Sequence, residues 1–483
     1  MRVLMVASEC FPLVKTGGLA DVVGALPAAL AEGGCETRVL LPAYPTVAAG
    51  LSVTQTVATF DSLFGGPARL VLGKAQGGLE IVALEAPHLF DRPGNPYVGP
   101  DGSDWPDNHR RFAALAAAAT QYAADPGDGW TADLVHCHDW QAGLTPVYLK
   151  RYMRVPPPVV FTIHNIAFQG CFPAAAVSEL GLPLEMYTPA GFEYWHQVSF
   201  LKAGLVFSDR LTTVSPTYAT ELRTPRFGMG MEGVLTARAA DLVGILNGID
   251  DTAWNPATDR SIAARYSAKE PAGKAKDRAA VQAEMGLQPD PAALLACVIS
   301  RLTYQKGLDL LAAALPALLT GGGQLALLGT GTPELEAMFV AAAHRYPGRV
   351  ASRIAYDEGL SHRLIAGADA IVVPSRFEPC GLTQMYGLRY GTVPIVARTG
   401  GLADSVIDAN EAAMQAGVAT GVVFDPIDTD GMRAALRRAL ALHADGAVWR
   451  SMMLAGMRQD VGWVRSAAKY RALYEVLVSA AGG

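Results

Sequence analysis

Short apolar runs rich in β-branched residues alternate with longer stretches whose apolar positions recur every three or four residues, first over one half of the chain and again over the other. In the first half the runs at 3–7, 37–41, 134–137, 159–163 and 210–214 predict strands, with helices over 21–31 and 107–123. The second half restarts, with strands predicted at 294–300, 324–328, 349–356, 370–374 and 393–397. Between the first two of these, Leu308, Leu311, Leu315 and Leu318 fall on one helical stripe that must be buried. Alternation of this kind builds a parallel sheet with helices on both faces, so each half is predicted to be a Rossmann-like α/β unit.

The charged stretch 266–278, with Pro271 and Gly273, predicts a solvated loop just past a boundary near Asn247-Gly248. After the last strand signal, Tyr470, Leu473, Tyr474 and Leu477 predict a terminal helix. The domains therefore read 1–247, 248–456 and a helix within 457–483 that packs back on the first domain.

Composition narrows the class. With 483 residues, 51% hydrophobic, the chain exceeds the roughly 250–300 residues at which single cores stop growing, so two cores are expected. A net charge of -6 leaves no global positive field for nucleic acid or an anionic membrane, so any anion must meet a local cluster. Mean hydropathy is +0.21, yet no apolar run reaches the roughly 20 residues of a membrane helix. The leading apolar segment stops at Ser8-Glu9, short for a signal peptide, and reads as a strand. Six cysteines, none in a C-x-x-C pair, suit a reduced, cytoplasmic protein.

Thr16-Gly17-Gly18-Leu19-Ala20-Asp21 recurs letter for letter as Thr399-Gly400-Gly401-Leu402-Ala403-Asp404. Glycine pairs between a strand and a helix let a backbone approach a ligand, so both copies are expected to face one cleft. Open α/β sheets bind ligands beyond the carboxyl ends of their strands, and the candidates lie there. Lys15, Arg301 and Lys306 follow strands and form a cation set suited to a diphosphate. Glu378 and Cys380 lead into a helix start at which the N–H groups of Gly381, Leu382 and Thr383 are expected to be open to an anion. Taken singly, each cation reads as a surface charge and Glu378 as a helix-dipole partner; their joint position favours a site.

His136-Cys137-His138-Asp139-Trp140 offers metal-type ligands, but without a second ligand pair at zinc spacing it suits a sugar cleft equally well. Asp428-Thr429-Asp430 imitates a metal-binding D-x-D and is better explained as a helix cap. His164 ends a strand, where either a ligand contact or a satisfied core imidazole would fit.

The ordered set Lys15-Thr16-Gly17-Gly18-Leu19, His136 to Trp140, Thr162-Ile163-His164-Asn165, Asn247-Gly248-Ile249-Asp250 and Ser375 to Leu382 resembles bacterial glycogen synthases and plant starch synthases over the whole chain. The resemblance implies a GT-B architecture, two Rossmann-like domains facing a deep central cleft with the terminal helix crossing back. It implies ADP-glucose as donor substrate, glycogen or another α-1,4-glucan as acceptor, retention of configuration, and no cofactor or metal. Lys15 and the Gly18 backbone would meet the distal phosphate, Asp21 and Asn247 would help bind the donor, and Arg301 and Lys306 would neutralise the departing diphosphate. His164 would sit against the glucose 6-hydroxyl, with its backbone carbonyl near the anomeric carbon. Glu378 would hold the 3- and 4-hydroxyls, beside Cys380, Gly381, Leu382 and Thr383. Asp139 and Trp140 would shape the glucose and acceptor side, Tyr356 would line the adenine pocket, and Tyr97 would offer a glucan platform. Tyr386 stands where many wider relatives carry a second glutamate, which favours the glycogen and starch branch. Competing readings are a UDP-glucose or small-acceptor enzyme and a non-catalytic glucan-binding protein; a homo-oligomer is compatible with each.

Overall fold

The computed structural model describes residues 1–481, so the last two positions of the terminal segment 457–483 lie outside the described residues. Internal contacts divide the chain into two units: residues 1–214, 219–247 and 463 onward form the first, residues 215–218 and 248–462 the second. No helix among the described residues is long and apolar enough to cross a membrane.

The first unit is built on β1 (Arg2–Val6), β2 (Glu36–Pro42), β3 (Ser52–Phe60), β4 (Ala68–Lys74), β5 (Glu80–Glu85), β6 (Leu134–His138) and β7 (Val159–Ile163). A small sheet follows, β8 (Cys171–Pro173), β9 (Glu193–Tyr194) and β10 (Gln197–Ser199), and then β11 (Arg210–Thr213) and β12 (Leu242–Gly244). The main sheet runs β12-β11-β7-β6-β1-β2-β5-β4-β3. It is parallel except where β4 pairs antiparallel with β3 and β5. Its centre is fully buried: every residue of β7 is buried, as expected for a strand covered on both faces. The terminal helix Val464–Ala481 belongs to this unit and buries Tyr470, Tyr474 and Leu477.

The second unit carries β13 (Leu295–Ile299), β14 (Gln324–Leu328), β15 (Val350–Arg353), β16 (Ala370–Val373), β17 (Val393–Ala397) and β18 (Val422–Phe424). They form one parallel sheet in the order β15-β14-β13-β16-β17-β18. The helix Leu308–Thr320 buries Leu308, Leu311, Leu315 and Leu318, the stripe read from the sequence.

Two expectations are corrected. The stretch 266–278 is not a solvated loop: Tyr266 is buried, and its hydroxyl donates to the Tyr390 carbonyl at 2.8 Å. Lys274 is buried too, and its ammonium donates to the carbonyls of Ala366 and Tyr390 and to Thr392 Oγ1, at 2.8, 3.1 and 2.7 Å. Those carbonyls end the helices Glu358–Gly367 and Thr383–Tyr390, where unpaired acceptors and the negative dipole end compensate a buried cation. Burial still pulls the Lys274 pKa down to about 8. The strand predicted at 349–356 is shorter, because Asp357 caps the next helix through the Leu360 N–H at 2.8 Å and the chain has already turned. At Asp428 the cap holds: its Oδ1 accepts the Gly431 N–H at 2.8 Å.

Candidate active site

In the first unit the chain leaves β1 at Ser8-Glu9 and returns as the loop that opens the helix Gly18–Glu32. Glu9 organises this loop. Only 3% exposed, its carboxylate accepts the N–H groups of Thr16 and Gly17, the Thr16 hydroxyl and the Tyr97 hydroxyl, the last at 2.5 Å. Charge-assisted bonds of this kind fix the exposed turn at 16–17. Lys15 is exposed and its ammonium pairs with Asp21 Oδ1 at 2.7 Å. A side chain at Gly17 or Gly18 would meet nothing within 4 Å, so the backbone there is open to a ligand.

Tyr97 is anchored by its hydroxyl to Ser8 and Glu9, and burial beside Glu9 raises its pKa well above the usual phenol value. Trp140 is packed inside the unit, with ring centroids 4.9 Å from Phe112 and 5.7 Å from Phe172, and the Gly170 backbone presses on its face. Neither residue is laid out as an open platform.

His136 and His138 lie within β6, while Asp139 and His164 follow directly after β6 and β7. Asp139 takes φ +55, a strained value for a non-glycine residue, and Oδ1 accepts the His164 N–H at 2.7 Å. Burial raises the Asp139 pKa to about 7 in spite of N–H donation from His164 and Asn165. His164 Nε2 and His138 Nδ1 share a hydrogen bond at 3.0 Å. Burial lowers the His164 pKa to about 3, so the ring is a neutral hydrogen-bonding group near pH 7. His136 meets Thr162 Oγ1 at 2.6 Å through Nε2 and the Tyr474 hydroxyl at 2.7 Å through Nδ1. With both nitrogens taken, His136 serves the core rather than a metal. Asn247 is buried, and its Oδ1 meets no hydrogen-bond donor among the described residues.

In the second unit Arg301 follows β13, exposed, with no protein acceptor for its guanidinium among the described residues. Lys306 Nζ donates to Glu378 Oε2 at 2.6 Å, and the Ser375 hydroxyl donates to the same oxygen at 2.7 Å. Glu378 is 6% exposed. A lysine and a carboxylate held this closely in a partly buried place form a polarised pair rather than a surface ion pair. Cys380 is buried; Gly381 takes φ +70, which glycine alone tolerates easily. The N–H groups of Gly381, Leu382 and Thr383 meet no acceptor among the described residues, and they open the helix Thr383–Tyr390. Tyr356 stands 83% exposed after β15.

The second Thr-Gly-Gly-Leu does not form an open loop. The Gly401 N–H donates to the carbonyls of Glu378 and Pro379 at 3.1 and 3.2 Å. A Cβ at Gly400 would lie 2.0 Å from the Glu378 oxygen, and one at Gly401 2.1 Å from the Cys380 oxygen. These glycines let the 399–404 segment lie against the Glu378 loop. Glu9 escaped the sequence reading, because a single carboxylate after a strand carries no local motif and its partner Tyr97 lies 88 positions away.

The family described as "Starch synthase catalytic domain" matches residues 2–237, and "Glycosyl transferases group 1" matches residues 294–441. A glycogen synthase of Paracoccus denitrificans is 57% identical over 478 residues, covering 99% of this chain and 100% of that protein. One from Rhodopseudomonas palustris is 54% identical over 477 residues, covering 99% and 97%. The catalytic domain of starch synthase IV from Arabidopsis thaliana, bound to ADP and acarbose, superposes with a TM-score of 0.89 at 33% identity, covering 99% of each chain. Sucrose-phosphate synthase from Thermosynechococcus elongatus, at 19% identity and a TM-score of 0.61 over 99% of each chain, shares the fold. By sequence identity along nearly its whole length, the chain belongs to the bacterial glycogen synthase family, glycosyltransferases of the GT-B fold.

Proposed function

We propose that the protein transfers glucose from ADP-glucose to the non-reducing end of an α-1,4-glucan with retention of configuration, releasing ADP. The observation that carries this reading is the cluster of Lys306, Ser375 and Glu378 beside the three unclaimed N–H groups at 381–383. It offers a carboxylate for sugar hydroxyls next to positive charge for a phosphate. The relative bound to ADP and acarbose supports an adenine nucleotide and a saccharide as ligands.

In this reading the bond from the anomeric carbon to the phosphate oxygen loosens while the acceptor 4-hydroxyl approaches from the same face. Its oxygen bonds to the anomeric carbon, and its proton passes to the departing phosphate oxygen. Arg301, Lys306 and the helix-start N–H groups stabilise the charge that grows on the diphosphate. Lys15 and the Gly18 backbone supply the equivalent compensation from the first unit, and Asp21 orients Lys15. His164, neutral, offers Nδ1 to the glucose 6-hydroxyl while His138 holds Nε2. Asp139 acts through His164, fixing the backbone whose carbonyl faces the anomeric carbon. Catalysis is then positional and electrostatic, and no side chain is a covalent nucleophile.

Replacing Glu378 with alanine removes a sugar contact needed in the transition state and is expected to lower turnover by at least about 100-fold with the fold intact. Near-normal turnover would remove Glu378 from the mechanism.

A further inference from the structure

Six described residues other than glycine take positive φ: Val53, Phe64, Asp139, Trp195, His196 and Met229. Four of them gather around one path. From His164 and Asn165 the chain turns, with the Phe168 N–H donating to the Asn165 carbonyl at 3.3 Å. The Gln169 amide then donates to the Met229 carbonyl at 2.9 Å, and the Tyr194 hydroxyl donates to the same oxygen at 3.3 Å. Tyr194 ends β9, and the β9–β10 turn that follows is Trp195-His196, with φ +50 and +64. Turns with two positive φ values favour Asn-Gly, so a tryptophan and a histidine here are held against local preference. The result is exposure: Trp195 is 79% exposed, Phe168 56% and Met229 40%. Burial would normally claim such side chains, and here they stand in water on a hydrogen-bonded scaffold that begins at His164.

We propose that Phe168, Trp195 and Met229 form a strip that binds the acceptor glucan beyond the sugar receiving the new glucose. The proposal rests on the glucan-elongating reading above. An α-glucan suits the strip because a pyranose offers an apolar C–H face to an aromatic ring and its hydroxyls to flanking uncharged groups, here the Gln169 amide and the Tyr194 hydroxyl. The three side chains are themselves uncharged, which disfavours the charged donor as their ligand. Continuity with His164 places the strip on the acceptor side of the first unit. Strain in the hairpin turn and at Met229 keeps the side chains presented before the glucan arrives, so that less ordering is lost on binding.

The test compares Trp195→Ala and Phe168→Ala with the wild type in two assays. Tryptophan fluorescence is titrated with maltoheptaose without donor, and KM values are measured for ADP-glucose, maltose and glycogen. Expected are a fluorescence change on titration that Trp195→Ala lacks, and a glycogen KM raised about tenfold, with the maltose and ADP-glucose KM values little changed. Trp195→Phe keeps a ring and is expected to restore most of the glycogen KM. Equal rises in all three KM values, or an unchanged glycogen KM in both alanine variants, would overturn the strip. If the wild type transfers no glucose from ADP-glucose, the functional reading fails, while maltoheptaose binding that Trp195→Ala abolishes still stands for the strip.

Discussion

The same six letters, Thr-Gly-Gly-Leu-Ala-Asp, do opposite work in the two units. At 16–18 they make an exposed turn tied to Glu9 ahead of a helix that buries Leu19 and Ala20, and a side chain on either glycine would meet nothing within 4 Å. At 399–404 both glycines are buried, and a Cβ would strike the backbone of Glu378 or Cys380 near 2 Å. In the first unit absent side chains leave room for a ligand; in the second they leave room for the protein, and the Gly401 N–H is spent on the loop that carries Glu378. A glycine motif therefore states only that something comes close to the backbone, and its surroundings decide what.

The largest effect separating the two is steric. Gly401→Ala forces the 378–380 backbone to move and is expected to cost roughly 3 kcal/mol, seen as a lowered thermal midpoint together with lost turnover. An unchanged midpoint would mean that the second loop is as open as the first. Acid separates the units next. Burial depresses the pKa values of His136 and His164 to about 3, and that of His138 well below its usual value, all in the first unit. The unfolded chain protonates these rings near pH 6.5 while the folded chain does not, so their contribution falls as pH drops below 6.5. Asp139, raised to about 7, acts in the opposite sense, adding stability as pH falls from about 7 toward 4. Three groups against one leave a net loss of stability as pH falls from 6.5 to 5. Hydrogen exchange should rise in the 134–164 region over that range while the 370–404 region holds, and equal behaviour would contradict the assignment.

A smaller effect tests what holds the open loop. Glu9→Gln turns an acceptor of several N–H and O–H groups into one that presents its own donors, and the ADP-glucose KM is expected to rise about tenfold with a modest change in thermal midpoint. A normal KM would show that the loop keeps its shape without the carboxylate. The smallest effect is Gly18→Ala, expected to alter stability by less than about 1 kcal/mol, and upward if at all. Weaker ADP binding in this variant, measured by titration, would sharpen the contrast with Gly401→Ala; a large loss of stability would break it.

Most of the fold was legible because strands buried on both faces read as continuous apolar runs and the amphipathic helices repeat their leucines. The edge strand β3 was missed because its burial rests almost wholly on Val57 and it shows no apolar run, whereas β4, β5 and β18 were passed over although Leu70-Val71, Ile81 to Leu84 and Val422 to Phe424 are buried apolar runs like those of the strands that were read. Lys274 misled because its charge suggested solvent, whereas its partners are carbonyls about 90 and 115 positions away. The residues carrying strong local motifs, Lys15, His164, Lys306 and Glu378, do fall in the segments that follow strands. Sequence could not show that Trp140 is walled in by Phe112 and Phe172, or that Tyr97 is tied to Glu9, since both depend on contacts between distant segments.

The most direct measurement is transfer of labelled glucose to glycogen from ADP-glucose, with UDP-glucose in parallel and EDTA in both. Efficient transfer from ADP-glucose alone, undiminished by EDTA, is the predicted result; no transfer from ADP-glucose, or transfer abolished by EDTA, would contradict it.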